Sequence, residues 1–352
     1  MKLMFVIQRY GTDIVGGAEL HCRLIAERMA EKHEVEIATT CANSYLTWEN
    51  TYPEGSGEVN GIPVHRFRNE RTKPEDFDTI AHSTLFGHPS RDDQMEYLEA
   101  HGPYCPSLIK YLESRDDIDR FVLFSYRYWT AWKTLEQFRH RVILVPTAEH
   151  DRVLYLDIHK ESFLKPGAVA YNSHEERQLI NTISSNDHIP GITVGVGLQE
   201  SESDRDSVLE YLDLPSRYFL YIGRIEEAKG CCSLFRDFTA YYKTSTEPVG
   251  LVLAGKQELN IPDHPGIFYA GIVSEETKLA LLNQCDALIM PSRYESLSMV
   301  VLEAWKMKRP VLCNSHCEVL RGQCIRSNGG LYYRNTDEFV EGAELLTCNA
   351  GL

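Results

Sequence analysis

The stretch Met290-Pro-Ser-Arg-Tyr-Glu295-Ser-Leu-Ser-Met-Val-Val-Leu-Glu303-Ala304 decides how this chain is read. Ahead of it, the apolar run Ala287-Leu-Ile-Met290 reads as a buried strand. After Ser298, the apolar residues Met299, Val300, Leu302 and Met307 fall at helical spacing. Glu295 therefore stands on a strand-to-helix turn, and Glu303 on the helix that follows. In a parallel α/β sheet such a turn lies at the carboxyl edge, where ligands bind. The helix start adds free N–H groups and the positive end of a dipole. Carboxylates beside an anion-binding helix start fit a ligand that is both anionic and rich in hydroxyls.

Strand and helix patterns alternate on both sides of this stretch, which predicts a parallel α/β architecture. In the first half, strands are expected at residues 3–7, 34–39, 64–67, 121–124, 142–147 and 167–171, with a helix over 18–32. Residues 68–104 are polar, aromatic and weakly periodic, and read as a long loop with short helices. The acidic, Ser-rich run 199–206 reads as a linker. A second series of strands begins at Tyr218-Phe-Leu-Tyr-Ile-Gly223 and continues at 250–255, 267–271, 287–290 and 310–313. The expectation is two Rossmann-like domains, residues 1–198 and 199–352, facing a central cleft with one reactant on each.

The 352 residues suit two domains of ordinary size. A net charge of −15 speaks against broad nucleic-acid binding and against electrostatic adhesion to anionic lipid. No apolar run reaches the roughly 18 residues of a membrane span. The start, Met1-Lys-Leu-Met-Phe-Val-Ile7, reads as a first strand rather than a signal peptide. Ten cysteines without framework spacing read as reduced thiols of a cytoplasmic protein. Cys313, His316, Cys317 and Cys324 resemble a metal set only loosely, because no second Cys-x-x-Cys half is present.

Other positions carry chemistry. Gly223-Arg224 ends a strand, and Lys229-Gly230 follows shortly after. Two cations there suit a diphosphate, one as a fork and one as a point charge; taken alone, they also suit a solvated loop. Gly16-Gly17 precedes a helix and would let backbone N–H groups face an anion, although a plain tight turn fits as well. His150 follows the strand over 142–147 and would stand at a sheet edge, where a solvated histidine is the ordinary alternative.

Gly16-Gly17, Gly223-Arg224…Lys229-Gly230, Gly271-Ile-Val273 and, above all, Pro291-Ser…Glu295-x7-Glu303-Ala304 resemble the retaining glycosyltransferases of family four, the group 1 enzymes of GT-B fold. The resemblance covers nearly the whole chain, in the right order. It implies a donor that is a nucleotide diphosphate sugar, with UDP-sugar preferred and UDP-glucose possible. It implies a saccharide or lipid-linked saccharide acceptor, in polysaccharide or glycan synthesis. It places Glu295 on hydroxyls of the transferred sugar, with backbone groups of Ser296, Leu297 and Ser298 beside it. Glu303 would bond the ribose, Arg224 and Lys229 (with Gly223 at the turn) the diphosphate, and Ile272 and Val273 would lie by the base. Gly16 and Gly17 would approach a phosphate, and His150 would stand near the transferred sugar. No Asp-x-Asp triplet reads as a carrier for a divalent ion, so no metal and no other cofactor is expected. A lipid-linked acceptor would bring the chain to the cytoplasmic face of the inner membrane.

The chain also departs from the family. Ser296-Leu297-Ser298 stands where Gly-Phe-Gly is common, which puts the sugar's identity in question. Val194-Gly-Val-Gly197 replaces the usual Asn-Gly-Val-Asp. The closing helix, at about 338–346, is expected to be short or cut off. A nucleotide-sugar epimerase of the same fold and a non-catalytic nucleotide-sugar-binding protein are the rival readings.

Overall fold

In the computed structural model, residues 1–14, 16–198 and 212–348 are described; the expected linker 199–206 lies outside them. The chain divides into two compact units, Met1–Gly197 and Leu198–Leu352.

The first unit runs β1 (Lys2–Val6), α1 (Gly17–Ala30), β2 (Glu34–Thr40), β3 (Gly55–Val59), β4 (Ile62–Phe67), α2 (Phe77–Phe86), α3 (Arg91–His101), α4 (Pro106–Glu113), β5 (Arg120–Phe124), α5 (Trp129–Phe138), β6 (Val142–Val145), α6 (Asp157–Ser162), β7 (Ala168–Tyr171), α7 (His174–Ser184) and β8 (Gly191–Thr193). Its sheet has the order β3-β4-β2-β1-β5-β6-β7-β8, with every pair parallel except β3–β4. Both faces are covered. Met4 and Val6 of β1 pack with Phe121 and Leu123, whereas Leu3 and Phe5 pack with Cys22 and Ala26 of α1. Continuous apolar strands are the sequence mark of such doubly covered parallel sheets.

Three expectations change here. The segment 68–104 is no long loop but mostly two helices, α2 and α3. α3 opens on a capping box, in which Ser90 and Asp93 each satisfy the other's backbone N–H. The strand expected over 142–147 ends at Val145, because Thr147 turns to a φ of 51° that no strand can hold. The expected strand at 64–67 is β4, but its antiparallel partner β3 was absent from the expected strands. The hairpin closes over Asn60-Gly61, whose positive φ values are those of a two-residue hairpin turn.

The second unit runs β9 (Tyr218–Ile222), α8 (Cys231–Thr244), β10 (Gly250–Ala254), β11 (Ile267–Gly271), α9 (Glu275–Gln284), β12 (Ala287–Met290), α10 (Met299–Lys306), β13 (Val311–Asn314), α11 (Glu318–Ser327), β14 (Gly330–Tyr333) and α12 (Thr336–Cys348). Its parallel sheet has the order β11-β10-β9-β12-β13-β14. Tyr218 and Leu220 face one apolar cluster, Phe219 and Tyr221 the other. The chain winds outward from β9 to β11, then crosses back to place β12 against the other side of β9. That reversal opens a crevice at the carboxyl ends of β9 and β12. No helix among the described residues is long and apolar enough to cross a membrane.

Candidate functional site

The loops that leave β9 and β12 carry the residues singled out from the sequence. Sheet order explains why residues 66 positions apart meet. Phe219 and Leu220 of β9 pair with Ala287 and Leu288 of β12, so both strands deliver their following loops to the same crevice. Lys229 Nζ lies 2.9 Å from Glu295 Oε1, with only 12% of the glutamate side chain exposed. The contact depends on Gly230. Its φ is +80°, and a Cβ there would meet the Pro291 carbonyl oxygen at 2.4 Å. Only a glycine lets the turn after β9 lie directly on the start of the Glu295 loop. From the far side, Asn314 Nδ2 donates to the same Pro291 carbonyl at 3.1 Å.

Arg224 sits beside Lys229 in this loop, its guanidinium 3.0 Å from Glu226 Oε2. Its carbonyl accepts from the Tyr221 hydroxyl at 2.6 Å, which fixes the backbone just after Gly223. Ser296 and Leu297 are half-buried, while Ser298 is buried as the N-cap of α10 and makes no side-chain capping bond. The Ser292 hydroxyl is buried without a hydrogen-bond partner.

Glu303 lies on α10, eight residues after Glu295 in the chain, and is 8% exposed. Its Oε1 accepts from Lys278 Nζ at 2.8 Å, and Lys278 reaches Glu275 at 2.7 Å. Burial raises the pKa of Glu303, and the Lys278 ammonium opposes that rise. Lys278 escaped the sequence reading. It sits on α9, and no local pattern distinguishes it from a surface lysine. After β11 and Gly271, Ile272 is exposed and Val273 half-buried, immediately ahead of the Ser274 cap of α9. The second unit therefore gathers Arg224, Lys229, Glu295 and the α10 start at one sheet edge. Glu303 with Lys278, and Ile272 with Val273, flank them.

In the first unit, Gly16 is the N-cap of α1 and Gly17 its exposed first residue. The anion nearest Gly16 is the chain's own Glu19. A Cβ on Gly16 would meet Glu19 Oε2 at 2.2 Å. Glu19 Oε1 accepts from Gln8 Nε2 and Arg9 Nε, each at 3.0 Å. His150 is exposed in the loop after β6, its ring 5.7 Å from that of Tyr155. Beside it, Asp151 pairs with Arg127. A cleft of about 440 Å³ lies next to Tyr155 and is lined also by Leu85, His88, Gln94, Arg152 and Asp157.

The cysteine set suggested by the sequence gathers no metal site. Among the described residues no group of three His, Cys, Asp or Glu side chains could hold an ion. Cys313 and Cys324 are buried thiols with their sulfurs 3.5 Å apart.

Residues 216–349 match the family model described as glycosyl transferases group 1. No curated protein matches the chain in sequence. Solved structures are similar in fold over nearly its whole length. Sucrose-phosphate synthase from Thermosynechococcus elongatus superposes with a TM-score of 0.71 at 14% identity, covering 99% of this chain and 90% of its own. An alpha,alpha-trehalose-phosphate synthase (UDP-forming) from Burkholderia xenovorans gives 0.71 at 11% identity, with 99% and 92% covered. WaaG, a glycosyltransferase involved in lipopolysaccharide biosynthesis, gives 0.65 at 11% identity, with 99% and 91% covered. The two-sheet α/β fold is that of these GT-B structures, and within the second unit residues 216–349 are similar to the group 1 glycosyltransferase model.

Proposed function

We propose that this protein is a retaining hexosyltransferase that uses a nucleotide diphosphate sugar, with UDP-glucose the first donor to test. The observation that carries this reading is the convergence of Lys229 and Glu295, 2.9 Å apart at the carboxyl ends of β9 and β12. Breaking a glycosyl–phosphate bond leaves positive charge on the sugar and negative charge on the diphosphate. A catalyst must hold the leaving group more tightly as that charge grows. Arg224, Lys229 and the start of α10 are the groups able to do so. Glu295, released from Lys229 when a diphosphate takes that cation, is then free to accept from sugar hydroxyls. Glu303, held in place by Lys278, keeps its second carboxylate oxygen for the ribose.

A double displacement would need a carboxylate nucleophile at the anomeric carbon. Glu295 is the candidate by type, but as a reader of hydroxyls it is unavailable for that role. Front-face attack, with the departing phosphate taking the acceptor's proton, is the route this arrangement favours. The acceptor is a saccharide, free or lipid-linked, and the cleft lined by Tyr155, Arg152 and His88 offers an aromatic face and a guanidinium to receive it.

The test is a thermal-shift panel of nucleotide-sugars on the purified chain, followed by product analysis with a panel of sugars and glycolipids. Stabilisation by one nucleotide-sugar together with a retained-configuration product supports the reading. Stabilisation without turnover on any acceptor would favour a binding protein, and conversion of the donor alone an epimerase.

A further inference from the structure

We infer that Glu176 is a positioning residue, whose buried carboxylate fixes the backbone of the loop that presents His150. This deepens the proposed function and rests on the expectation, carried by the family resemblance, that His150 stands near the transferred sugar.

Glu176 lies in the first turn of α7, where Ser173 is the N-cap and accepts from the Glu176 N–H at 3.1 Å. Ser173 and Glu176 have the spacing of a capping box. In that motif the glutamate would reach back to the N-cap's own N–H. Here it does not. Oε2 accepts from the Asn172 N–H at 2.6 Å, and Oε1 accepts from the Ala148 N–H at 2.5 Å. The Asn172 side chain adds a longer bond to Oε1 at 3.4 Å. One carboxylate thus ties together the loops that leave the neighbouring strands β6 and β7.

The bond to Ala148 falls where the chain needs support. Thr147 holds a φ of 51°, an uncommon conformation for a β-branched residue. Such backbone persists only where its surroundings over-determine it. The next residue is clamped by Glu176, and His150 follows two residues later. Glu176 is 1% exposed. Burial pushes its pKa up, and the N–H donors of Asn172 and Ala148, one on each oxygen, oppose that rise by favouring the charged form. A carboxylate is a costly group to bury, and an ordinary cap has no need of one. Two N–H donors on two loops do need both of its oxygens. The nearby Glu149 carboxylate adds to the rise.

Glu176→Gln supplies only one carbonyl oxygen and presents an amide to the second N–H. We expect kcat to fall about 10- to 100-fold with donor KM within a factor of about three, as for a misplaced catalytic group. His150→Ala should lose a similar factor, and the double variant should lose no more than the larger single loss, because Glu176 acts through the loop. Independently of any variant, the Ala148 amide should exchange with deuterium as slowly as the amides of β6. Additive losses, unchanged kcat in Glu176→Gln, or rapid exchange at Ala148 would overturn the inference. Wild-type turnover by His150→Ala would instead sink the assignment of His150 on which it rests.

Discussion

Lys229 and Glu295 are partners across 66 residues of sequence, their charged atoms 2.9 Å apart with the lysine 27% and the glutamate 12% exposed. Donor binding must break this pair, since the lysine is proposed to move onto the diphosphate and the glutamate onto the sugar. Lys229→Ala is therefore expected to lower kcat by about 100- to 1000-fold, the range seen when one preorganised donor to a developing anion is deleted. Steady-state kinetics with a fixed acceptor would show it. A turnover within a factor of about three of wild type would remove Lys229 from the leaving-group site.

Gly230 enforces that meeting. Gly230→Ala would drive a Cβ into the Pro291 carbonyl at a φ of +80°. The expected cost is about 1–3 kcal/mol of stability, because the backbone must shift or strain, together with weaker nucleotide binding. Chemical denaturation and calorimetric titration would check both effects. Full stability would mean that the two loops are not in close contact.

Lys278→Met would leave the Glu303 carboxylate buried without its cation. Removal of one partner from a buried pair costs about 3–5 kcal/mol. Burial already raises the Glu303 pKa, and loss of Lys278 raises it further. A carboxyl whose folded pKa stands above its unfolded value favours folding when protonated and loses that contribution as pH rises through the folded pKa. The deficit of the variant relative to wild type should therefore be largest at neutral pH and shrink as the solution is acidified. Melting temperatures measured across pH would show only a small deficit at every pH if the pair were not buried.

Glu36 gives the reverse sign. Arg115, then His65 and Lys2, hold its pKa down to about 2. The cluster stabilises the fold fully above the ordinary carboxylate pKa, and its contribution is lost as pH falls from about 4.5 toward 2. Glu36→Gln should cost about 1–2 kcal/mol at pH 7, an amount reduced because the cluster lies at the solvent edge. Acid unfolding of the variant should be less steep through that window, as read by circular dichroism.

The placement of several candidate residues was written in the sequence. Glu295 and Glu303 were legible because strand and helix periodicities meet at Ser298, and a turn between them falls at a sheet edge by the geometry of parallel sheets. Gly223 and Arg224 were legible for the same reason. Lys278 was not, because its partner lies on another helix and an ion pair leaves no local pattern. Glu176 was hidden differently. The Ser173…Glu176 spacing reads as an ordinary cap, and only the packing of α7 beside the β6 loop shows which N–H groups its carboxylate serves.

The sequence alone settled what its short-range patterns encode: two series of apolar strands with helices between them, and turn chemistry at their ends. For residues 68–104 it indicated short helices but overweighted the loop, because α2 and α3 carry too few regularly spaced apolar side chains to mark their full extent. Pairings across long separations were left to the tertiary structure. Strand order placed β12 against β9, which set Lys229 on Glu295. It placed β6 against β7, which put Glu176 under the His150 loop. Hydrophobic periodicity acts over a few residues and is written in the chain, whereas a salt bridge or a buried clamp exists only once the sheet has chosen its neighbours.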